Sequence, residues 1–227
     1  MNIGRVGIVT ERVNGRGRGK RRYDARGRQE SAAATRARIL ATAREAFTTK
    51  GYVATTIAKI ADQAGVAPDT VYASVGAKPV LFRELIELAL SGTDIPVPGA
   101  ERDYVARMRA AGDAPTKLAI YAQAVTQIQE RLAPLFLALR DAAGVDAQLA
   151  DLWRDVTERR AANMRLLAAD LASTGQLRVD LTLDQVADVI WSMNSAEYYT
   201  ALVEGRAWTP AKFELWLRDA WQRLLLS

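Results

Sequence analysis

Three residues in the N-terminal third, Ala61, Gly65 and Val71, restrict the fold more than any other feature of the chain. Two short helices can cross closely only if the residue at the crossing is small, the turn between them holds a left-handed residue, and the second helix carries one inward aliphatic anchor. Separations of four and six residues meet those demands in a helix-turn-helix, and Ile57, Ile60, Ala64 and Val66 supply the supporting apolar positions. On these residues alone, a plain helical hairpin inside a bundle is the alternative.

The surrounding pattern is helical throughout. Ile39, Leu40, Ala43 and Phe47 recur at helical spacing and stop at Lys50-Gly51, which predicts a first helix from about Thr35. Thr56 is a candidate N-cap for a second helix ending at Gly65, and Pro68 suits the first turn of a third, with Val71 and Val75 inward. A fourth is expected over Lys78–Leu90, then a linker over Ser91–Gly99 with two glycines and two prolines. Breaks near Gly112–Pro115, Pro134, Gly144, Gly175, Asn194–Ser195 and Gly205–Thr209 predict helices at 101–111, 116–132, 134–143, 147–173, 182–193, 195–204 and 210–226. No alternating β-branched run suggests a sheet. The expected fold class is all-α: a three-helix N-terminal helix-turn-helix unit and a C-terminal helical bundle. The expected divisions are a basic arm over 1–30, disordered in isolation, the helix-turn-helix unit with its connecting helix over 31–90, and the helical body over 91–227.

Composition narrows the chemistry. The 227 residues include no cysteine and no histidine, although 49% are apolar and supply an ample core. Ser-His-Asp and Cys-His triads, zinc sites and the Glu-x-x-His di-iron bundle are thereby excluded, and no cofactor, metal site or catalytic residue is expected. Asp151 and Asp155 are spaced like a carboxylate pair, but Arg154, Arg159 and Arg160 beside them favour a solvated helix face. No apolar run approaches the ~18 residues that cross a bilayer, and the N-terminus carries charge where a signal peptide is apolar. The expected compartment is the cytoplasm, with no membrane partner.

Charge is divided unevenly. Residues 1–90 hold 16 Lys/Arg against 8 Asp/Glu, whereas residues 91–227 hold 15 against 18. A basic N-terminal end implies a polyanionic partner, nucleic acid being the commonest. Residues 1–30 alone carry nine basic and three acidic residues. That arm has three readings: an extension along the minor groove of DNA, a solubility tail, or the product of an upstream start assignment.

The stretch Gly51-Tyr52-Val53-Ala54-Thr55-Thr56-Ile57-Ala58-Lys59-Ile60-Ala61-Asp62-Gln63-Ala64-Gly65-Val66, with Thr70-Val71-Tyr72 and Lys78 after it, resembles the N-terminal signature of the TetR family of transcriptional regulators. The resemblance is strong over about residues 35–90 and architectural beyond. It implies a homodimer on double-stranded DNA, with Thr56, Thr70, Tyr72 and Lys78 at phosphates; Lys59 and Pro68 lie on the same candidate surface. Such donors fix register without reading bases. A core role for Tyr72 and a purely capping role for Thr56 are the structural alternatives. Departures are visible as well. Ala67 stands where the family has a serine N-cap, at a cost of about 1 kcal/mol unless Pro68 and Asp69 offset it. Asp69, where glycine is frequent, suits either the helix dipole or cytosine N4. Val75, Gly76 and Ala77 replace bulkier residues, and Pro68–Ser74 has no cation, so Arg36, Arg38, Lys50, Lys59 and Lys78 are the available flanking charges.

The body exceeds what a reading unit needs for stability, so a pocket and a dimer interface are expected there. Phe213, Leu215, Trp216, Ala220, Trp221, Leu224 and Leu225, with Val186, Val189, Ile190 and Met193, offer apolar surface either for a second chain or for one chain's own core. The stretch Trp-Ser-Met-Asn-Ser-Ala-Glu-Tyr-Tyr at 191–199 is similar to the ligand-binding part of some family members. Met108, Tyr121, Gln127, Phe136, Trp153, Met164, Trp191 and Asn194 are the pocket candidates, each also readable as core, and they suit an apolar or aromatic effector of unknown identity. The resemblance implies a repressor released from a palindromic operator by that effector. The alternatives are a constitutive or architectural DNA-binding protein and, more remotely, an all-α enzyme.

Overall fold

The computed structural model describes residues 17–227, with side chains described from Gly27 onward. Residues 1–16, which hold the first half of the expected arm, lie outside the described residues. Ten α-helices follow in order: α1 (Gly17–Ala54), α2 (Ile57–Ala64), α3 (Pro68–Val75), α4 (Lys78–Ser91), α5 (Asp103–Ala110), α6 (Ala114–Ala143), α7 (Ala147–Ala172), α8 (Leu183–Met193), α9 (Ala196–Val203) and α10 (Pro210–Leu225), with a single 3-10 turn at Gly99–Glu101 before α5. Among the described residues there is no sheet, only one isolated bridge between Leu177 and Leu226.

The first helix starts well before Thr35. Residues 27–34 are exposed, so they carry no apolar stripe for periodicity to find, yet Arg, Gln, Ala and Glu are good helix formers there. The helix kinks at Gly51, whose φ of 77° and ψ of 165° suit glycine alone. Thr55, 1% exposed, holds the turn by donating its hydroxyl to the carbonyls of Ala46 and Gly51.

The break expected at Pro134 does not occur, and α6 runs for 30 residues through it. Proline leaves the carbonyl of the residue four before it without its helical donor. That residue, Glu130, is exposed, so water can satisfy the carbonyl while packing keeps the helix intact. At 1.5 Å per residue α6 is about 45 Å long. It is the axis of the molecule, packed against α1, α4, α5, α7, α9 and α10, while α8 packs chiefly on α7. Leu118, Leu135 and Leu139 on α6 are fully buried. Each contributes about 1.5–3 kcal/mol by leaving water.

One apolar cluster runs from Ile39 in α1 to Leu225 in α10, so the two parts of the chain share a core. The junction is α4. Leu81, Phe82, Leu85, Ile86 and Ala89 are buried on it, and Phe82 meets Phe47 and Tyr52 edge-on at 4.8 and 5.4 Å. A half-buried pair unannounced by any pattern ties the body together: Lys117, 3% exposed, donates to the half-buried Asp170 and to the Met108 carbonyl, each at 2.8 Å. Leaving that ammonium unpaired would cost several kcal/mol, on the order of 3–5.

Candidate nucleic-acid interface and effector cavity

The helix-turn-helix is built as its spacing requires. Ala61, 1% exposed, sits at the crossing and Val71 is fully buried as the anchor of α3. Gly65 is left-handed, with φ 65° and ψ 41°, and the Val66 N–H bonds back to the Ala61 carbonyl at 3.0 Å, closing α2 in a Schellman turn. Thr56 caps α2 by accepting from the Lys59 N–H at 3.2 Å. Ala67 offers α3 no side-chain cap, and Pro68 at the first position takes up the role instead. Gly76 has φ 80°, and a Cβ there would come within 3.3 Å of Val80, so the small residue between α3 and α4 is required.

With Val71 and Val75 turned inward, Pro68, Asp69, Thr70 and Tyr72 are left in solvent. Tyr72 is 52% exposed, which removes the core reading of its ring. Thr56 and Lys59 on α2 are exposed too. Several cations expected to be available spend at least one donor within the chain, although exposed Lys59 keeps others free. Arg36 pairs with Glu84, Arg38 donates to the Ala64 carbonyl at 2.8 Å, and Lys59 Nζ donates to the Ala54 carbonyl at 2.9 Å. Lys78 is half-buried, with Nζ 3.8 Å from the centroid of the Tyr52 ring. Burial draws its pKa down, against the pull of Asp146 at the start of α7. Burial and the same carboxylate push the Tyr52 hydroxyl up to about 12. Lys78 is therefore a joint between reading unit and body as well as a candidate phosphate ligand.

A cavity of about 280 Å³ opens in the body, lined by the 3-10 turn, α5, α6, α7 and the Asn194–Ala196 turn, with Leu90 of α4 at its wall. Four of the candidates line it: Tyr121, Phe136, Met164 and Asn194. Met108 lines an adjoining lobe of about 290 Å³ that shares Tyr121 and Met164. Trp153 and Trp191 are not among the lining residues, and Gln127 faces a separate cleft with Arg131. Trp153 points outward from α7, and Trp191 lies under the Arg160 guanidinium, 4.4 Å from it.

The cavity's polar centre is a network that the sequence did not disclose. Asn194 donates to the Tyr121 hydroxyl at 2.6 Å, and that hydroxyl donates to Met164 Sδ at 3.2 Å. Gln129 and Arg160 both donate to the Asn194 carbonyl at 2.9 Å. Tyr121 stacks on Trp221 at 5.6 Å, and burial pushes its hydroxyl well above the ordinary range, so it stays protonated. Arg159 also lines the cavity and bonds Glu87 of α4 at 2.6 Å. Asp151 pairs with Arg154 at 3.0 Å and Asp155 with Arg159 at 3.4 Å, so the two carboxylates serve a surface ion-pair network. Met193 and Val189 are half-buried, Val186, Ile190, Phe213, Trp221 and Leu225 are fully buried in their own chain, and Leu215, Trp216 and Leu224 remain exposed.

Among solved structures, the fold is similar to NalD, the secondary repressor of the MexAB-OprM multidrug efflux pump in Pseudomonas aeruginosa (TM-score 0.66, 20% identity, covering 87% of this chain and 98% of that one). It is also similar to the MbdR regulator from Azoarcus sp. CIB (0.63, 21%, 82% and 96%) and to a transcriptional regulator from Saccharomonospora viridis solved with choline (0.63, 18%, 85% and 97%). At such identities the likeness concerns the fold. No curated protein matches the chain significantly. Residues 39–85, which carry the helix-turn-helix described above, match the family model for bacterial regulatory proteins of the tetR family, and over those residues the chain is a regulatory domain of the tetR type.

Proposed function

We propose that this regulator is a homodimeric repressor that binds a two-fold DNA operator through α3 and leaves it when a small molecule fills the body cavity. The observation that carries the reading is the division of α3: Val71 and Val75 fix it to the core while Pro68, Asp69, Thr70 and Tyr72 stand in solvent beside Thr56 and Lys59. Hydroxyl and ammonium donors on that surface suit phosphate oxygens, and Asp69 at the helix start suits a cytosine amino group. One eight-residue helix reads few base pairs, so a second copy is needed for a specific site. Leu215, Trp216 and Leu224, exposed on α10, offer the apolar contact for that copy. Such a protein works where the DNA is, in the cytoplasm.

The NalD repressor and the choline-bound regulator support repression and small-molecule control as the mode of action. The connection between sites is α4. Its first residue, Lys78, lies against Tyr52 near the reading unit, and its end supplies Glu87 to Arg159 and Leu90 to the cavity wall, about 20 Å away along the helix. A ligand that favours one position of α4 shifts the spacing of the two reading units, and DNA must oppose that ligand by the same factor.

Footprinting on DNA immediately upstream of the chain's own reading frame tests the proposal. Two protected half-sites about 34–36 Å apart, related by a two-fold centre, are expected. A single unsymmetrical footprint, or protection no stronger than on random DNA, would overturn it.

A further inference from the structure

Charge around the cavity is one-sided. Its lining includes Arg102, Arg159 and Arg160 and no Asp or Glu. Arg159 is already neutralised by Glu87 at 2.6 Å and Asp155 at 3.4 Å. Among the described residues, neither Arg102 nor Arg160 has a carboxylate within ion-pair distance. Arg102 donates only to the Val97 carbonyl, at 3.3 Å. In the adjoining lobe the one carboxylate, Asp170, belongs to buried Lys117.

Arg160 is fixed in position without being neutralised. Nη1 donates to the Asn194 carbonyl at 2.9 Å, the guanidinium lies 4.4 Å over the Trp191 ring, and Nε is buried without a partner. Among the described residues Nη2 makes no hydrogen bond, and it is not among the enclosed atoms. Burial pulls the Arg160 pKa below its usual range, against the weaker attraction of Tyr121 and of Glu197, a carboxylate already paired with Arg140 at 3.0 Å. Both Arg160 and Arg102 line the cavity beside Tyr121, and both pull the Tyr121 hydroxyl pKa down against the larger effect of burial. The other walls, Tyr104, Val125, Ile128, Phe136 and Met164, are apolar or aromatic.

We propose that the effector is an organic anion: an apolar or aromatic body packed among those walls, ending in a carboxylate held by Arg160 and Arg102. The inference rests on the reading of the cavity as an effector site. A guanidinium already oriented by Asn194 and Trp191 needs little reorganisation to meet a carboxylate, and its planar donors match that group. A neutral end group gains a hydrogen bond but leaves both charges uncompensated. A cationic one is repelled at short range in a partly desolvated site.

The test uses one skeleton with three charges: 4-phenylbutanoate, 4-phenylbutanamide and 4-phenylbutan-1-amine, titrated calorimetrically into the full chain near neutral pH. The carboxylate is expected to bind about ten-fold or more tightly than the amide, and the amine more weakly still. Arg160→Gln is expected to bring the carboxylate to within about three-fold of the amide, and Arg160→Lys to restore part of the difference. Thermal melts of both variants check that the Asn194 contact is not what fails. The ligand series on the unaltered chain decides the matter even if a variant misfolds. Equal or tighter binding of the amide or amine overturns the anion proposal while leaving the effector site standing. If none of the three binds at millimolar concentration, both the anion proposal and the effector reading of this cavity fall.

Discussion

The reading unit and the body use their side chains in opposite ways. In α2 and α3 the residues proposed to meet DNA, Thr56, Lys59, Thr70 and Tyr72, are exposed, and apart from the Thr56 cap on α2 the fold rests on others, Ala61, Gly65 and Val71. In the body the residues lining the cavity are the fold itself. Tyr121, Gln129, Arg160 and Asn194 hold one another, and Tyr121 also carries the stack on Trp221. A DNA surface can therefore change with little effect on stability, whereas a change of ligand must be accommodated by repacking.

The largest expected effect falls in the body. Tyr121→Ala should cost about 3–5 kcal/mol in chemical denaturation, because the cavity it leaves and the lost Asn194 contact add together. A loss below about 1 kcal/mol would mean that cavity residues are as dispensable as surface ones, and the contrast would fail. Asn194→Ala should cost less, about 1–3 kcal/mol, by stranding the Tyr121 hydroxyl. Its 7% exposure leaves little room for water to substitute. Tyr72→Phe belongs to the other class. It should alter stability by no more than about 0.5 kcal/mol while weakening specific and random DNA alike.

An effect confined to high pH lies at the joint. Tyr52 keeps its proton up to about 12 in the folded chain against 10.0 ordinarily. Its folded pKa is raised, so its contribution is whole below about 10 and is lost as pH rises through about 12. Denaturation midpoints followed across that window should fall less steeply in Tyr52→Phe than in the unaltered chain. Parallel slopes would show that Tyr52 is not held by Asp146 and burial as described.

The same difference explains what the sequence discloses. Thr56 to Lys78 lie within one short stretch, and the demands of a close helix crossing leave a fixed spacing behind. The cavity instead gathers residues from Leu90 to Ala196, and no spacing records which helices will face one another. Large or aromatic side chains were a serviceable guide for Tyr121, Phe136 and Met164, but Trp153 points outward and Trp191 serves as a platform for Arg160. Arg160 itself, beside Arg159 and a run of acids, looks in sequence like a solvated helix face; only the crossing of α7 by the Asn194 turn shows otherwise. Pro134 and the exposed start of α1 mislead for a related reason, since tertiary packing and bare helix propensity leave no apolar period to read.

The central claim is that the exposed edge of α2 and α3 is the DNA surface and is independent of the fold. It is tested most directly by a triple variant, Lys59→Ala with Thr70→Ala and Tyr72→Phe, compared with the unaltered chain for binding to its upstream DNA over a range of salt and for thermal unfolding. The account expects the unfolding midpoint to be unchanged, the discrete complex to be lost or strongly weakened, and the salt dependence to flatten by about one counterion for the lost lysine. A variant that binds the same DNA as tightly as the unaltered chain, with the same salt dependence, would contradict it.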